Sequence, residues 1–409
     1  MWKWECRRRF GGGGISTSRH PHISTSLVPP QPYLRRVRFS SLTGHAALKA
    51  TLINNVREGR VAHAQLFLGP RGSGTLPLAL AYARYLFCQQ PGAADACGEC
   101  PSCQQMDHLA HPDLNLAFPI FFIEKKPKTC DHLIGEWRQA VLAEPYLDEE
   151  LWRGALGTSE TKQLRIGVDI AQEIGRRMSL KAYRGGWKVM LIWLPEAMNL
   201  EAANKLLKAL EEPEPNTVFL LVSHQADRLL PTVLSRVQLV KVPALTEADV
   251  LEELQVRFPD LGEAEARAIA IRSEGDVLEA TTMAEKGEDE LFLLFRDWLR
   301  ACYARKVDLT SGHMEVFNKL GREKQKALMR YALYLMRQCV LQWQGAHPLV
   351  VVAGEERDFV EKFATLVNER NIPGIREELE IAHYHLERNA NPKVLFMDLS
   401  YRMMGLLRA

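Results

Sequence analysis

Ala64-Gln-Leu-Phe-Leu-Gly-Pro-Arg-Gly-Ser-Gly-Thr-Leu76 decides the fold. An apolar run enters Gly69-Pro-Arg-Gly-Ser-Gly74, and an Ala/Leu-rich segment follows. Strand, glycine loop and helix in that order make a P-loop, whose backbone N–H groups cradle phosphate. In a working loop the next two residues are Lys, for the β/γ-phosphates, and Ser or Thr, for Mg²⁺. Here they are Thr75 and Leu76. The candidate nucleotide-binding residues Gly69, Gly72, Gly74, Thr75 and Leu76 thus keep the shape of a cradle without its charges. We expect a degenerate site that does not hold ATP tightly. Backbone N–H groups and the helix dipole still allow weak binding.

Outward from this stretch, strands over 64–68, 114–118, 188–193, 218–222 and 238–242 alternate with helices over 46–58, 76–88, 168–180, 200–210 and 227–234. That alternation predicts an α/β domain with a parallel sheet over residues 39–243. A small helical domain follows over 244–287, opened by the capping-box sequence Thr246-Glu-Ala-Asp249. Residues 288–409 read as an all-α domain, with long amphipathic segments at 291–306, 324–343, 358–373 and 374–390. Its last helix, 392–407, has Asn391 as cap and Pro392 at the first helical position. The aromatic and charged stretch 120–164 reads as a partly helical insertion. Residues 1–38 contain Arg7-Arg8-Arg9, a Gly11–Gly14 run and a single acid, Glu5. They read as a disordered tail, as an extension from an upstream start codon, or as an organelle transit peptide.

The bulk composition is that of a soluble globular protein: 46% hydrophobic, 25% charged, net charge +2 over 409 residues. So small a net charge supplies no general attraction to nucleic acid. No apolar run reaches the roughly 18 residues that span a bilayer, so no membrane partner is expected. Four of the eight cysteines cluster as Cys88-x8-Cys97-x2-Cys100-x2-Cys103. Four thiolates suit tetrahedral Zn²⁺ and leave no position open for water, so the site should be structural. An iron–sulfur cluster and unliganded thiols are the competing readings. Gly98 and Pro101 would make the tight turns, and His108 and His111 read as ordinary loop histidines. Cys302 and Cys339 read as core or free thiols.

Lys188-Val-Met-Leu-Ile-Trp-Leu-Pro-Glu196 has the apolar strand that in an ATPase ends in adjacent Asp and Glu, for Mg²⁺ and for the attacking water. Counting back from Asn204-Lys-Leu-Leu-Lys-Ala-Leu-Glu-Glu-Pro213, those positions fall on Trp193 and Leu194. In the counter-reading, Glu196 is the surviving acid, displaced by two residues. Ser235-Arg236, ahead of the last strand, reads as an arginine finger that acts in trans.

Together, Val61-Ala-His-Ala64 leading into Leu66-Phe-Leu-Gly-Pro70, the four-cysteine module, Asn204 to Pro213 and Leu234-Ser-Arg236 resemble the bacterial clamp-loader subunits of the AAA+ class. The resemblance covers residues 39–409, including Asn389-Ala-Asn-Pro-Lys393 ahead of a last apolar helix. It implies an AAA+ P-loop module with a zinc module at 88–103, a helical lid at 244–287, and an oligomerising collar at 288–409. The pattern of losses is similar to the family's non-hydrolysing stator, which donates the arginine of a Ser-Arg-Cys motif to a neighbour's nucleotide. Here the motif is Ser235-Arg236-Val237, so the cysteine is missing while the guanidinium remains. The family's sensor arginine after a Glu-Gly-Ser turn is missing too: the turn is Glu274-Gly275-Asp276, and the arginine position falls near Leu278.

The resemblance further implies DNA replication in the bacterial cytoplasm, with no intrinsic ATPase. The implied partners are motor subunits and a clamp-opening subunit in a hetero-oligomeric ring, the sliding clamp, and primed DNA through the complex. Two alternatives stay open: a hydrolysing motor subunit that uses Thr75 and Glu196, and a zinc-containing interaction protein outside replication.

Overall fold

The computed structural model describes residues 37–121, 129–157, 163–286, 290–352 and 354–408. Residues 1–36 of the expected tail, and 122–128 and 158–162 of the expected insertion, lie outside the described residues. Five strands, β1 (Ala64–Leu68), β2 (Leu114–Ala117), β3 (Lys188–Trp193), β4 (Thr217–Ser223) and β5 (Gln238–Lys241), form one sheet in the order β2-β3-β4-β1-β5. Every pairing is parallel, with Ala64 opposite Phe219 and Gln65 opposite Gln238. Parallel neighbours need long crossovers, and helices supply them. Helix α1 (Ala46–Arg57) precedes β1, while α2 (Thr75–Phe87) and α3 (Pro101–Met106) join β1 to β2. Helices α4 (Ile134–Ala143), α5 (Glu149–Ala155) and α6 (Val168–Met178) lie between β2 and β3. Helix α7 (Leu200–Glu211) joins β3 to β4, and α8 (Pro231–Leu234) leads to β5.

Strands β3 and β4 are buried along their whole length, which is why they read as near-continuous apolar runs. Every residue of α2 is buried as well, so the helix after the glycine loop runs through the core. The chain leaves β1 for the far β2 edge, whereas β4 and β5 flank β1 itself. Open α/β sheets bind ligands at such a switch, outside the carboxyl ends of the strands.

The helix expected over 227–234 is broken. A short 3-10 turn, Ala226–Arg228, precedes α8, because Pro231 holds Leu230 extended at φ −64 and ψ 137. The insertion, by contrast, is built into the core. Trp137 and Trp152 are fully buried around Phe118, at ring distances of 5.2 and 5.5 Å, and the Trp152 indole N–H donates to the Pro119 carbonyl at 2.8 Å. Truncating such an aromatic costs about 3–5 kcal/mol.

Beyond Pro243, helices α9 (Glu247–Arg257), α10 (Glu263–Arg272) and α11 (Val277–Lys286) surround a small separate core that includes Val250, Leu254, Ile269 and Leu278. Thr246 and Asp249 close the expected capping box. A third core, centred on Phe295, Trp298, Phe317, Leu335 and Phe396, is enclosed by the remaining helices. These are α12 (Glu290–Tyr303), α13 (Val307–Lys319), α14 (Arg322–Trp343), α15 (Gly354–Phe363), α16 (Ile372–Glu387) and α17 (Pro392–Leu406). The segment 358–373, read as one helix, stops at Phe363 and passes through a 3-10 turn, Ala364–Leu366. Asn391 caps α17 as expected, its side chain accepting from the Lys393 and Val394 N–H groups.

Candidate functional site

The glycine loop joins β1 to α2. Gly72 and Gly74 have φ of +67° and +88°, the left-handed conformation that favours glycine, and Gly74 caps α2. Thr75 and Leu76 are both buried. The surroundings of the loop are anionic and filled. Asp276, from the turn between α10 and α11, lies so close to Gly72 that a Cβ there would collide with its carboxylate. The Val277 N–H donates to the Gly72 carbonyl at 3.3 Å. Arg71 donates to Asp148 at 2.5 Å and lies 3.9 and 3.8 Å from Asp276 and Glu279. Burial works against the Arg71 charge, yet these carboxylates, Asp148 first, hold its pKa above the ordinary arginine value. Tyr146 packs on Gly74, and the His45 Nε2 bonds to the Ser73 carbonyl at 2.7 Å. Leu278, at the expected sensor position, is buried among helices α9–α11. Position 75 holds threonine rather than lysine, and the loop's own cation, Arg71, is engaged by acids.

At the end of β3, Trp193 and Leu194 are buried, and Leu194 adopts φ +53°. Glu196 sits in the short turn Pro195–Ala197 and accepts from the His224 backbone N–H at 3.2 Å. The His224 Nδ1 in turn donates to the Gly69 carbonyl at 3.0 Å. The displaced acid is thus tied to the base of the glycine loop through β4. Burial raises the Glu196 pKa above the ordinary carboxylate range. The neutral acid then favours folding: this contribution is complete below the unfolded pKa of about 4.3 and is lost as pH rises through the folded value. Glu196→Gln keeps the acceptor and removes the charge. Its melting temperature should match wild type near about pH 4 and exceed it near about pH 8, in thermal melts across that range. A variant less stable than wild type at the higher pH would contradict this account.

Arg236 follows the Ser235 cap of α8, its side chain one-third exposed. It donates through Nε to Glu211 at 2.6 Å, and through Nη1 to the Thr232 carbonyl at 2.8 Å and the Ser235 Oγ at 3.1 Å. It enters the sheet just before Gln238, which pairs with Gln65 at the start of β1, whereas the glycine loop leaves after Leu68. At about 3.3 Å per residue, this arginine and this loop lie at opposite ends of the sheet.

The four cysteine sulfurs lie within 4.8 Å of one another. Tetrahedral Zn²⁺ with Zn–S of about 2.3 Å needs edges of about 3.8 Å, and Cys97 and Cys103 are 3.9 Å apart. The residues present fit the ion. Gly98 takes φ +79° as a tight turn requires, while Pro101 opens α3. N–H groups of Glu99 and Cys100 lower the Cys97 thiol to about 6, whereas burial pushes Cys103 up to about 12. His111 is stacked on Phe87 at 4.0 Å and bonded to Ser102 and the Asp113 N–H, so it stands outside the ligand set. Cys302 and Cys339 are fully buried in the C-terminal core. Sequence reading missed Glu211, Tyr146, Asp148 and His224. Each reaches its partner across a long stretch of chain, which no local spacing signals.

This strand order, with a glycine loop leaving β1 and helices beyond the sheet, defines a P-loop module of the AAA+ class. Residues 44–246 match the family described as DNA polymerase III, delta subunit. The chain is 38% identical over 199 residues to DNA polymerase III subunit delta' of Pseudomonas aeruginosa, covering 49% of this chain and 48% of that one. It is 33% identical over 190 residues to subunit delta' of Escherichia coli, covering 46% and 44%. A gamma subunit-related protein of Thermotoga maritima superposes with a TM-score of 0.34 at 18% identity, covering 88% of this chain and 98% of that one. The chain spans about half the length of the delta' relatives it matches. Residues 44–246 are thus similar to DNA polymerase III delta and delta' subunits.

Proposed function

We propose that the chain is a clamp-loader subunit of bacterial DNA polymerase III that does not hydrolyse ATP and serves a neighbour's ATP instead. The observation that carries this reading is the separation of Arg236 from its own glycine loop. A guanidinium at the opposite end of the sheet from a loop without lysine can stabilise γ-phosphate charge only on another subunit. Thr75, Leu76, Leu194 and Leu278, all buried, support the loss of the chain's own chemistry. Ser235, within reach of Arg236, helps to position it. In this reading the helices from 290 onward hold the chain in a ring with motor and clamp-opening subunits, which places the sliding clamp on primed DNA in the cytoplasm. Among the described residues, no helix is long and apolar enough to cross a membrane. Zn²⁺ on Cys88, Cys97, Cys100 and Cys103 supplies a structural cross-link and no reaction step.

The test is reconstitution. The isolated chain should neither hydrolyse ATP nor bind it at micromolar concentration. Mixed with motor and clamp-opening subunits from the same genome, it should co-elute as one complex and raise clamp- and DNA-stimulated turnover. Hydrolysis by the chain alone would favour the motor-subunit reading through Thr75 and Glu196. Failure to co-elute would favour a zinc-containing interaction protein outside replication.

A further inference from the structure

The insertion between β2 and β3 has a task that neither the sheet nor the cysteine module requires. Its turn Glu144-Pro-Tyr-Leu-Asp148 joins α4 to α5 and touches two other parts of the protein at once. On one side, Tyr146 is buried in the core of α9–α11 with Val250, Leu254 and Ile269. The Arg257 guanidinium lies 5.5 Å over the Tyr146 ring and binds Glu144 at 2.7 Å and Glu253 at 2.7 Å. On the other side, Tyr146 packs on Gly74 of the glycine loop, and Asp148 accepts from Arg71 at 2.5 Å. Asp148 also caps α5 through the Leu151 N–H at 2.8 Å, so its carboxylate is held in place. Asp276 and Val277 meet Gly72 directly from the lid. Thr43, ahead of α1, adds a hydroxyl bond to Glu253.

We infer that residues 144–148 are a strap that fixes the helical lid to the α/β module across the glycine loop, in the bridging position a nucleotide takes in a working P-loop ATPase. Lid closure onto a ligand needs contacts made to both bodies at once. Here those contacts are covalently part of the chain. The apolar contact comes from Tyr146, and the charge contacts come from Arg71 against Asp148, Asp276 and Glu279. A lid held in this way keeps one orientation whatever the ATP concentration. The inference stands apart from the clamp-loader reading, because it concerns the chain alone and is tested on it alone.

Hydrogen–deuterium exchange on the full chain, with and without Mg-ATP, decides it. Tyr146→Ala and Arg71→Met should each speed amide exchange across α9–α11 at least tenfold, with β1, β3 and β4 unchanged. Tyr146→Phe, which keeps the ring, should loosen the lid less than Tyr146→Ala does, and Mg-ATP should alter none of these rates. If Tyr146→Ala does not fold, Arg71→Met decides alone, since its side chain is partly exposed. Lid exchange that stays at the wild-type rate overturns the strap. So does loosening of the sheet together with the lid, or protection of the lid by Mg-ATP.

Discussion

Arg236→Ala is expected to silence an ATP site that belongs to another subunit while leaving the ring assembled. Arginine fingers contribute about 10³ to 10⁵-fold to hydrolysis in other NTPases, so the adjacent site should fall to background. Turnover of the whole ring should drop by that site's share. Lysine is a poor replacement: Arg236→Lys supplies a point charge in place of a planar fork and should recover little. Glu211→Gln makes the informative control. Glu211 holds the guanidinium in the free chain, so weakening that bond should leave turnover within about twofold, as expected of a partly exposed ion pair. The measurement is clamp- and DNA-stimulated ATPase of the reconstituted ring, with assembly checked by size-exclusion chromatography. Wild-type turnover from an assembled Arg236→Ala ring would remove the arginine from the mechanism.

Metal removal should have the second large effect. The purified chain should carry one zinc per molecule by elemental analysis, and Cys103→Ser should carry none, because Cys103 is fully buried and one of the four thiols the ion needs. Structural zinc contributes about 10–16 kcal/mol of apparent binding free energy in zinc-finger peptides. Its loss here should unfold the segment around residues 88–111 and lower the melting temperature by several degrees or more. Without the ion Cys97 and Cys103 do not ionise together, since Cys97 is depressed to about 6 and Cys103 raised to about 12. Zinc retention should therefore weaken steeply as pH falls, because the ligands must be deprotonated to hold the ion. Iron in place of zinc would convert the site to an iron–sulfur reading. A chain that is metal-free and equally stable would leave four plain thiols.

Much of the α/β domain was legible because its signals are local. The glycine loop, the continuous apolar strands and the Asn391 cap each declare themselves within a few residues, and the strands lie within a residue or so of their expected bounds. Helix α13 was not legible. Val307, Thr310, Gly312 and Val316 are poor helix formers; the helix exists because Met314 and Phe317 pack into the C-terminal core. The break at Pro231 follows the ordinary rule for residues before proline, which weighs against a continuous helix over 227–234. At the site, positions were readable and contacts were not. Thr75 and Arg236 announce a loss and a retention by identity alone, whereas the Glu211 bond to Arg236 and the Asp148 bond to Arg71 depend on how the chain folds back.

The strand order also sets a timetable for synthesis. β1 pairs only with β4 and β5, so Ala64 waits for Phe219 and Gln65 waits for Gln238. At about 5–20 residues per second, the ribosome needs on the order of ten seconds or more to deliver those partners after β1 has emerged. During that interval a bare apolar strand and the Leu-rich helix behind it have no sheet to join. The cysteine module, whose ligands all lie within Cys88 to Cys103, has no such wait. Metal capture can tether the end of α2 early, and the nascent chain should lean on chaperones until residue 241 is out.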